Sequence, residues 1–98
     1  MSKSNYSDKR DQNEPEIVKE FERLGFYVIR QPRTAGFDLL VIGQGMTLIV
    51  EVKNPEGGTY TEKEMQLRGI CAIKNVFYYV IVSVSEVEDL LINAKRTV

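Results

Sequence analysis

Residues 36–55 read GFDLLVIGQGMTLIVEVKNP. Two apolar runs, 39–42 and 46–52, flank Gly43-Gln44-Gly45, the pattern of two strands joined by a tight hairpin. Few polar residues remain on it: Asp38 ahead of the first strand, and Glu51 and Lys53 at the end of the second. Side chains alternate along a strand, so Glu51 and Lys53 point the same way, about 6.5 Å apart, with Val52 directed into the opposite layer. Counting back from a two-residue loop at Gln44-Gly45 sets Asp38 opposite Glu51, with Cβ atoms about 5 Å apart. Two carboxylates and an ammonium should therefore converge at one end of the hairpin.

Like charges at that spacing repel by several kcal/mol where water is partly excluded, unless something offsets them. A divalent cation is the simplest offset. Carboxylate oxygens suit Mg²⁺ or Mn²⁺, and Mg²⁺ is commonly held by one or two carboxylates, a carbonyl and waters, with a substrate phosphate completing the shell. The backbone carbonyl of Val52, between the two polar side chains, is a candidate ligand beside Asp38 and Glu51. The competing reading is a solvated edge strand with a weak Glu51–Lys53 surface pair.

The 98 residues make one domain able to support a single core. No apolar run reaches membrane-spanning length, and the first residues lack a signal-peptide pattern, so a cytoplasmic, intracellular protein is expected. The lone cysteine, Cys71, fits a reducing compartment and reads as a small buried hydrophobe. Histidine is absent, which removes Ser-His and Cys-His nucleophiles and the usual zinc sites. Any chemistry must run on carboxylates, lysine and a hard metal. The net charge of -1 argues weakly against broad nucleic-acid binding, which depends more on where charges lie than on their sum.

Taken in order, residues 1–13 read as a flexible polar N-terminal tail, and residues 14–98 as the single domain. A first helix is expected from an Asn13 cap, with Glu14 and Glu16 in its first turn and Ile17, Val18, Phe21 and Leu24 on its buried face. Glu14 lies near that apolar stripe; its position fits either a site acid or a favourable dipole contact. Gly25 ends the helix and residues 26–30 form a first strand. The loop QPRTAG then carries Arg33 and Thr34, with Arg30 just before it, toward Asp38. Arginines beside a carboxylate cluster suggest phosphate contacts, against a reading as ordinary surface arginines.

After the hairpin, residues 54–60 are a glycine-containing loop. Thr61 and Glu64 make a capping box that opens a second helix over residues 62–74, with Met65, Ile70, Cys71 and Ile73 as apolar positions. Gln66, one turn in, could bond a metal-bound water or a phosphate, or simply be solvated. Residues 76–84 are the most β-prone run and predict a central strand. Ser85 and Glu88 predict a cap for a last helix through about Ala94. The expected order is α-β-β-β-α-β-α around a mixed sheet.

GFD, a short hairpin and E-V-K, in an αβββαβ order with an acid in the first helix, resemble the PD-(D/E)xK nucleases, whose core is the restriction-endonuclease-like α/β fold. Within them, IVEVKNPEGGTYTEKEMQ is similar to the VRR-Nuc group, and EPEIVKEFERLGFYVIRQPRTAGFD to archaeal Holliday-junction resolvases. The resemblance spans Glu14 to Val84. It implies that Asp38 and Glu51 ligate Mg²⁺, that Lys53 positions or activates water, that Glu14 reaches the metal directly or through water, and that Gln66 is the helix glutamine of VRR-Nuc members. Thr34 stands where the archaeal resolvases have a loop serine, and Phe37 where the family name has proline.

The implied activity is Mg²⁺-dependent endonucleolytic cleavage of Holliday junctions or other branched DNA. A homodimer is expected because resolving a junction needs two symmetric cuts. A compact nuclease without a helicase is the sort of gene a virus carries. Two rivals stand: a nickase or exonuclease without junction preference, and a catalytically inactive nucleic-acid-binding or protein-interaction module.

Overall fold

A computed structural model describes residues 13–56 and 58–96. Residues 1–12 of the expected 1–13 tail lie outside them. The hairpin sets the architecture. Strand β2 (Leu39–Gly43) and strand β3 (Met46–Val52) pair antiparallel, with Gly43 opposite Met46, so the loop is the two residues Gln44 and Gly45. Both take positive φ, 50° and 78°, which matches a primed hairpin turn and explains glycine at the second position.

Helix α1 (Glu14–Arg23) precedes β1 (Tyr27–Arg30), which pairs antiparallel with β2. After β3 come helix α2 (Glu62–Lys74), strand β4 (Tyr78–Ile81) running parallel to β3, and helix α3 (Val87–Arg96). The result is a mixed α/β domain with a four-stranded sheet, β1-β2-β3-β4, flanked by helices. No helix among the described residues is long and apolar enough to cross a membrane.

Alternation along the strands divides the sheet into two faces. One carries Leu39, Val41, Leu48, Val50, Val52 and Ile81, which are buried with Ile17 and Phe21 of α1 and Val87, Leu90, Leu91 and Ala94 of α3. The other carries Glu51, Val80 and Tyr78. Helix α2 packs beside that second face, against β4 and the 3₁₀ turn Arg33–Ala35. The site therefore lies outside the main core, on the face where α2 approaches the sheet.

Several local expectations need correction. Strand β4 is a four-residue edge strand rather than a central one, because the chain leaves the sheet after Ile81 and no further strand among the described residues pairs with it. Asn13 does not cap α1 with its side chain; its Nδ2 donates instead to the carbonyls of Lys53 (2.9 Å) and Val82 (2.6 Å), tying the helix start to the ends of β3 and β4. The last helix is entered through a 3₁₀ turn, Val84–Glu86, that contains Ser85, rather than from a Ser85 cap, and Glu86 Oε1 accepts from Val82 N. On α2, Cys71 is buried as expected, whereas Met65, Ile70 and Ile73 face outward.

Candidate active site

Asp38 and Glu51 are both buried, at 4% and 2% exposure. The pairing Leu39↔Val50 places Asp38, one residue earlier, beside Glu51, one residue later. Asp38 N donates to Val50 O at 3.1 Å, and Asp38 Oδ2 accepts from Val52 N at 2.8 Å. The backbone of β3 thus fixes the orientation of Asp38's carboxylate.

Lys53 stands on the same face as Glu51, with Nζ 3.3 Å from Glu51 Oε2. The ammonium has two further oxygen partners, Glu64 Oε1 at 3.0 Å and Thr59 O at 3.1 Å. The Tyr60 ring centroid lies 4.4 Å away, a cation–π contact, and Arg68 sits over the same ring at 4.3 Å. Tyr78 reaches in from β4, donating to Gly36 O at 2.8 Å and to Glu51 Oε1 at 3.4 Å.

Electrostatics follow from this crowding. Burial, hydrogen bonding to Glu64, and the charges of Asp38 and Glu64 push Glu51 up to about 9, against the opposing pull of Lys53. At neutral pH Glu51 is therefore a protonated acid hydrogen-bonded to Glu64, and its contact with Lys53 is a charge-assisted hydrogen bond rather than a full ion pair. Burial lowers Lys53, but its contacts with Glu64 and Glu51 outweigh that and leave it raised. Glu64 is held below the usual carboxylate range, since its hydrogen bonds from Glu51, Thr61 N and Lys53 overcome burial. Burial, then the neighbouring carboxylates, keep Tyr78 protonated as a donor.

A cavity of about 170 Å³ opens onto this cluster, lined among others by Arg33, Asp38, Glu51, Val52, Lys53 and Glu64. It is the smallest cavity described here, and the larger grooves lie away from the two acids. Chemistry, not size, distinguishes it. Among the described residues no group of three or more Asp, Glu, Cys or His side chains converges to hold a metal ion. The site offers two buried acids on adjacent strands, and the crowding holds Glu51 well above the usual carboxylate range even with Lys53 beside it. Carboxylate oxygens are hard donors of the kind that Mg²⁺ or Mn²⁺ takes, alongside carbonyls and waters.

The remaining expected residues divide. Arg33 lines the cavity. Glu14 is buried and accepts from Arg30 Nε at 2.8 Å, so it is paired with the very arginine expected at a phosphate, and neither lines the cavity. Thr34 is exposed on the 3₁₀ turn and Gln66 is exposed on α2, both outside the cavity lining. From α2 it is Glu64 that reaches Lys53. Its spacing from Thr61 marks it only as a cap; Tyr60 and Tyr78 likewise carry no sequence signal beyond their aromatic type. Compared with protein-family models, curated proteins and solved structures, the chain matches none.

Proposed function

We propose that this chain is a Mg²⁺- or Mn²⁺-dependent nuclease with a restriction-endonuclease-like core, of the PD-(D/E)xK kind and VRR-Nuc type, which nicks branched or four-way DNA as a homodimer. The observation that carries this reading is the pairing of buried Asp38 and Glu51 across one hairpin, with the Lys53 ammonium 3.3 Å from Glu51, at an open cavity. Buried acids are normally paired or bound to metal, and here two of them lie on adjacent strands at one cavity. The αβββαβ order and the mixed sheet are those the resemblance asks for.

Asp38, Glu51 and the Val52 carbonyl would hold the cation, which supplies charge for a phosphate and lowers the pKa of a bound water. Asp38 is preoriented by the Val52 amide. Lys53 orients the attacking water or meets charge growing on the phosphate, and Arg33, at the cavity wall, supplies a guanidinium for the flanking backbone. Glu14, through Arg30, supports the neighbouring strand.

Incubating the purified protein with junction, flap, duplex and single-stranded DNA in Mg²⁺ tests the reading. Cleavage that needs the cation and is lost in Asp38→Ala and Lys53→Ala is expected; near-normal cleavage by either variant overturns the assignment. That no group of three or more Asp, Glu, Cys or His side chains is placed to hold a metal ion among the described residues favours a binding module instead. Binding without cutting in both Mg²⁺ and Mn²⁺ would select it.

A further inference from the structure

Lysine is a flexible chain ending in a strongly hydrated point charge, and by itself it does not hold one direction. Here Lys53 meets three oxygen acceptors: Glu64 Oε1 at 3.0 Å, Thr59 O at 3.1 Å and Glu51 Oε2 at 3.3 Å. The Glu64 contact is itself anchored. The same Oε1 accepts from Thr61 N at 2.9 Å, and Thr61 Oγ1 accepts from Glu64 N at 3.2 Å. An exposed capping box needs no lysine, yet the Glu64 side chain is turned into the cavity and is only 14% exposed.

We infer that Glu64 is the positioning residue for Lys53, making the first turn of α2 a fixed bracket that aims the ammonium across the cavity. The inference rests on the nuclease reading of the site. Were Glu51 to hold a cation, the Lys53 N–H that it accepts at 3.3 Å would become available. The contacts with Glu64 and Thr59 remain, so the amine keeps its place with one donor free for the substrate phosphate. A four-carbon stem is thereby held within the narrow range of geometry that a reacting group requires.

The test compares full-length wild type with Glu64→Gln and Glu64→Ala. Single-turnover cleavage is measured in Mg²⁺ on whichever DNA the wild type cuts, DNA affinity in Ca²⁺, and the Lys53 ammonium titration by NMR of ¹³C-labelled lysine. Glu64→Ala is expected to slow cleavage about 10- to 100-fold at saturating DNA with affinity unchanged, the pattern of a lost transition-state interaction. Glu64→Gln keeps an oxygen for Thr61 N and for Lys53, so it should fold normally and recover most of the rate. In both variants the Lys53 pKa should fall. Wild-type cleavage rate and an unmoved Lys53 titration in either variant overturn the proposal. If the wild type cuts no DNA, the nuclease reading falls and the catalytic part of this proposal with it, while the titration still decides whether Glu64 holds the amine.

Discussion

The backbone amide of Val52 donates to Asp38 Oδ2 at 2.8 Å, across the hairpin that carries both acids. One carboxylate oxygen of Asp38 is thus committed to the fold. Asp38→Asn can keep that acceptor and should unfold close to wild type, whereas Asp38→Ala strands a buried N–H at a cost of about 1–3 kcal/mol. Both should lose cleavage by about 100-fold or more. Denaturant unfolding alongside cleavage assays separates the structural role of Asp38 from its charge; equal stability of the two variants contradicts this account.

Glu51 carries the pH dependence. Its pKa is about 9 in the folded protein against an ordinary 4.5. The folded state therefore holds a proton that the unfolded chain releases, and ν_U − ν_N is negative between these values. Without metal, Glu51's contribution to stability is full below about pH 4.5 and falls as pH rises toward about 9. Glu51→Gln should flatten this slope, and at pH 8 it should melt higher than the wild type by several degrees, each 1 kcal/mol being worth about 4–8 °C in a domain this size. Mg²⁺ should raise the wild-type melting temperature at pH 8, with proton release, and leave Glu51→Gln unmoved. A wild-type stability that rises relative to that of Glu51→Gln between about pH 5 and 9 would contradict the sign.

What could be read without coordinates was the part governed by short-range rules. The alternation in 46–52 and the Gln44-Gly45 turn determine the hairpin register, and the register alone puts Asp38 beside Glu51. The rank of β4 in the sheet was not legible, because β-propensity reports fit to a pleated surface and not which strands lie on either side. Nor was Glu64's second partner. A capping box is a signal four residues long, whereas Lys53 lies 11 residues away and meets Glu64 only once the loop between them folds back. The entry to α3 has a similar origin: Val82 N takes Glu86 Oε1 as its acceptor and Ser85 lies inside the 3₁₀ turn, contacts that the Ser85-x-x-Glu88 spacing does not report.

Gly43 tests the packing that supports the hairpin. A Cβ there would lie 2.7 Å from Phe26 Cδ2 and 3.2 Å from Phe26 Cα. The ring has little room to retreat, since it packs edge-on to Phe21 with centroids 6.1 Å apart, and the backbone atom has none. Gly43→Ala should therefore cost about 1–3 kcal/mol by overpacking. A lowered urea midpoint at unchanged m is the expected result, and an unchanged midpoint contradicts it. The site lies at the other end of the hairpin, so cleavage well below the melting temperature should persist.

The two arginines entering the 31–38 loop should behave differently, although sequence gave them the same expectation. Arg33 lines the cavity, while Arg30 donates to Glu14 at 2.8 Å and stands outside it. Arg33→Ala should weaken DNA binding similarly for all sequences and reduce the slope of log affinity against log salt by about 1, as one phosphate contact is lost. Arg30→Ala should leave that slope unchanged and instead lower stability by about 1 kcal/mol or more, because buried Glu14 loses a charge-assisted partner. Salt titrations of DNA affinity, paired with unfolding curves for each variant, check both at once. A reduced salt slope in Arg30→Ala would return that guanidinium to the phosphate-binding surface and leave the Glu14 pair without the supporting role assigned to it.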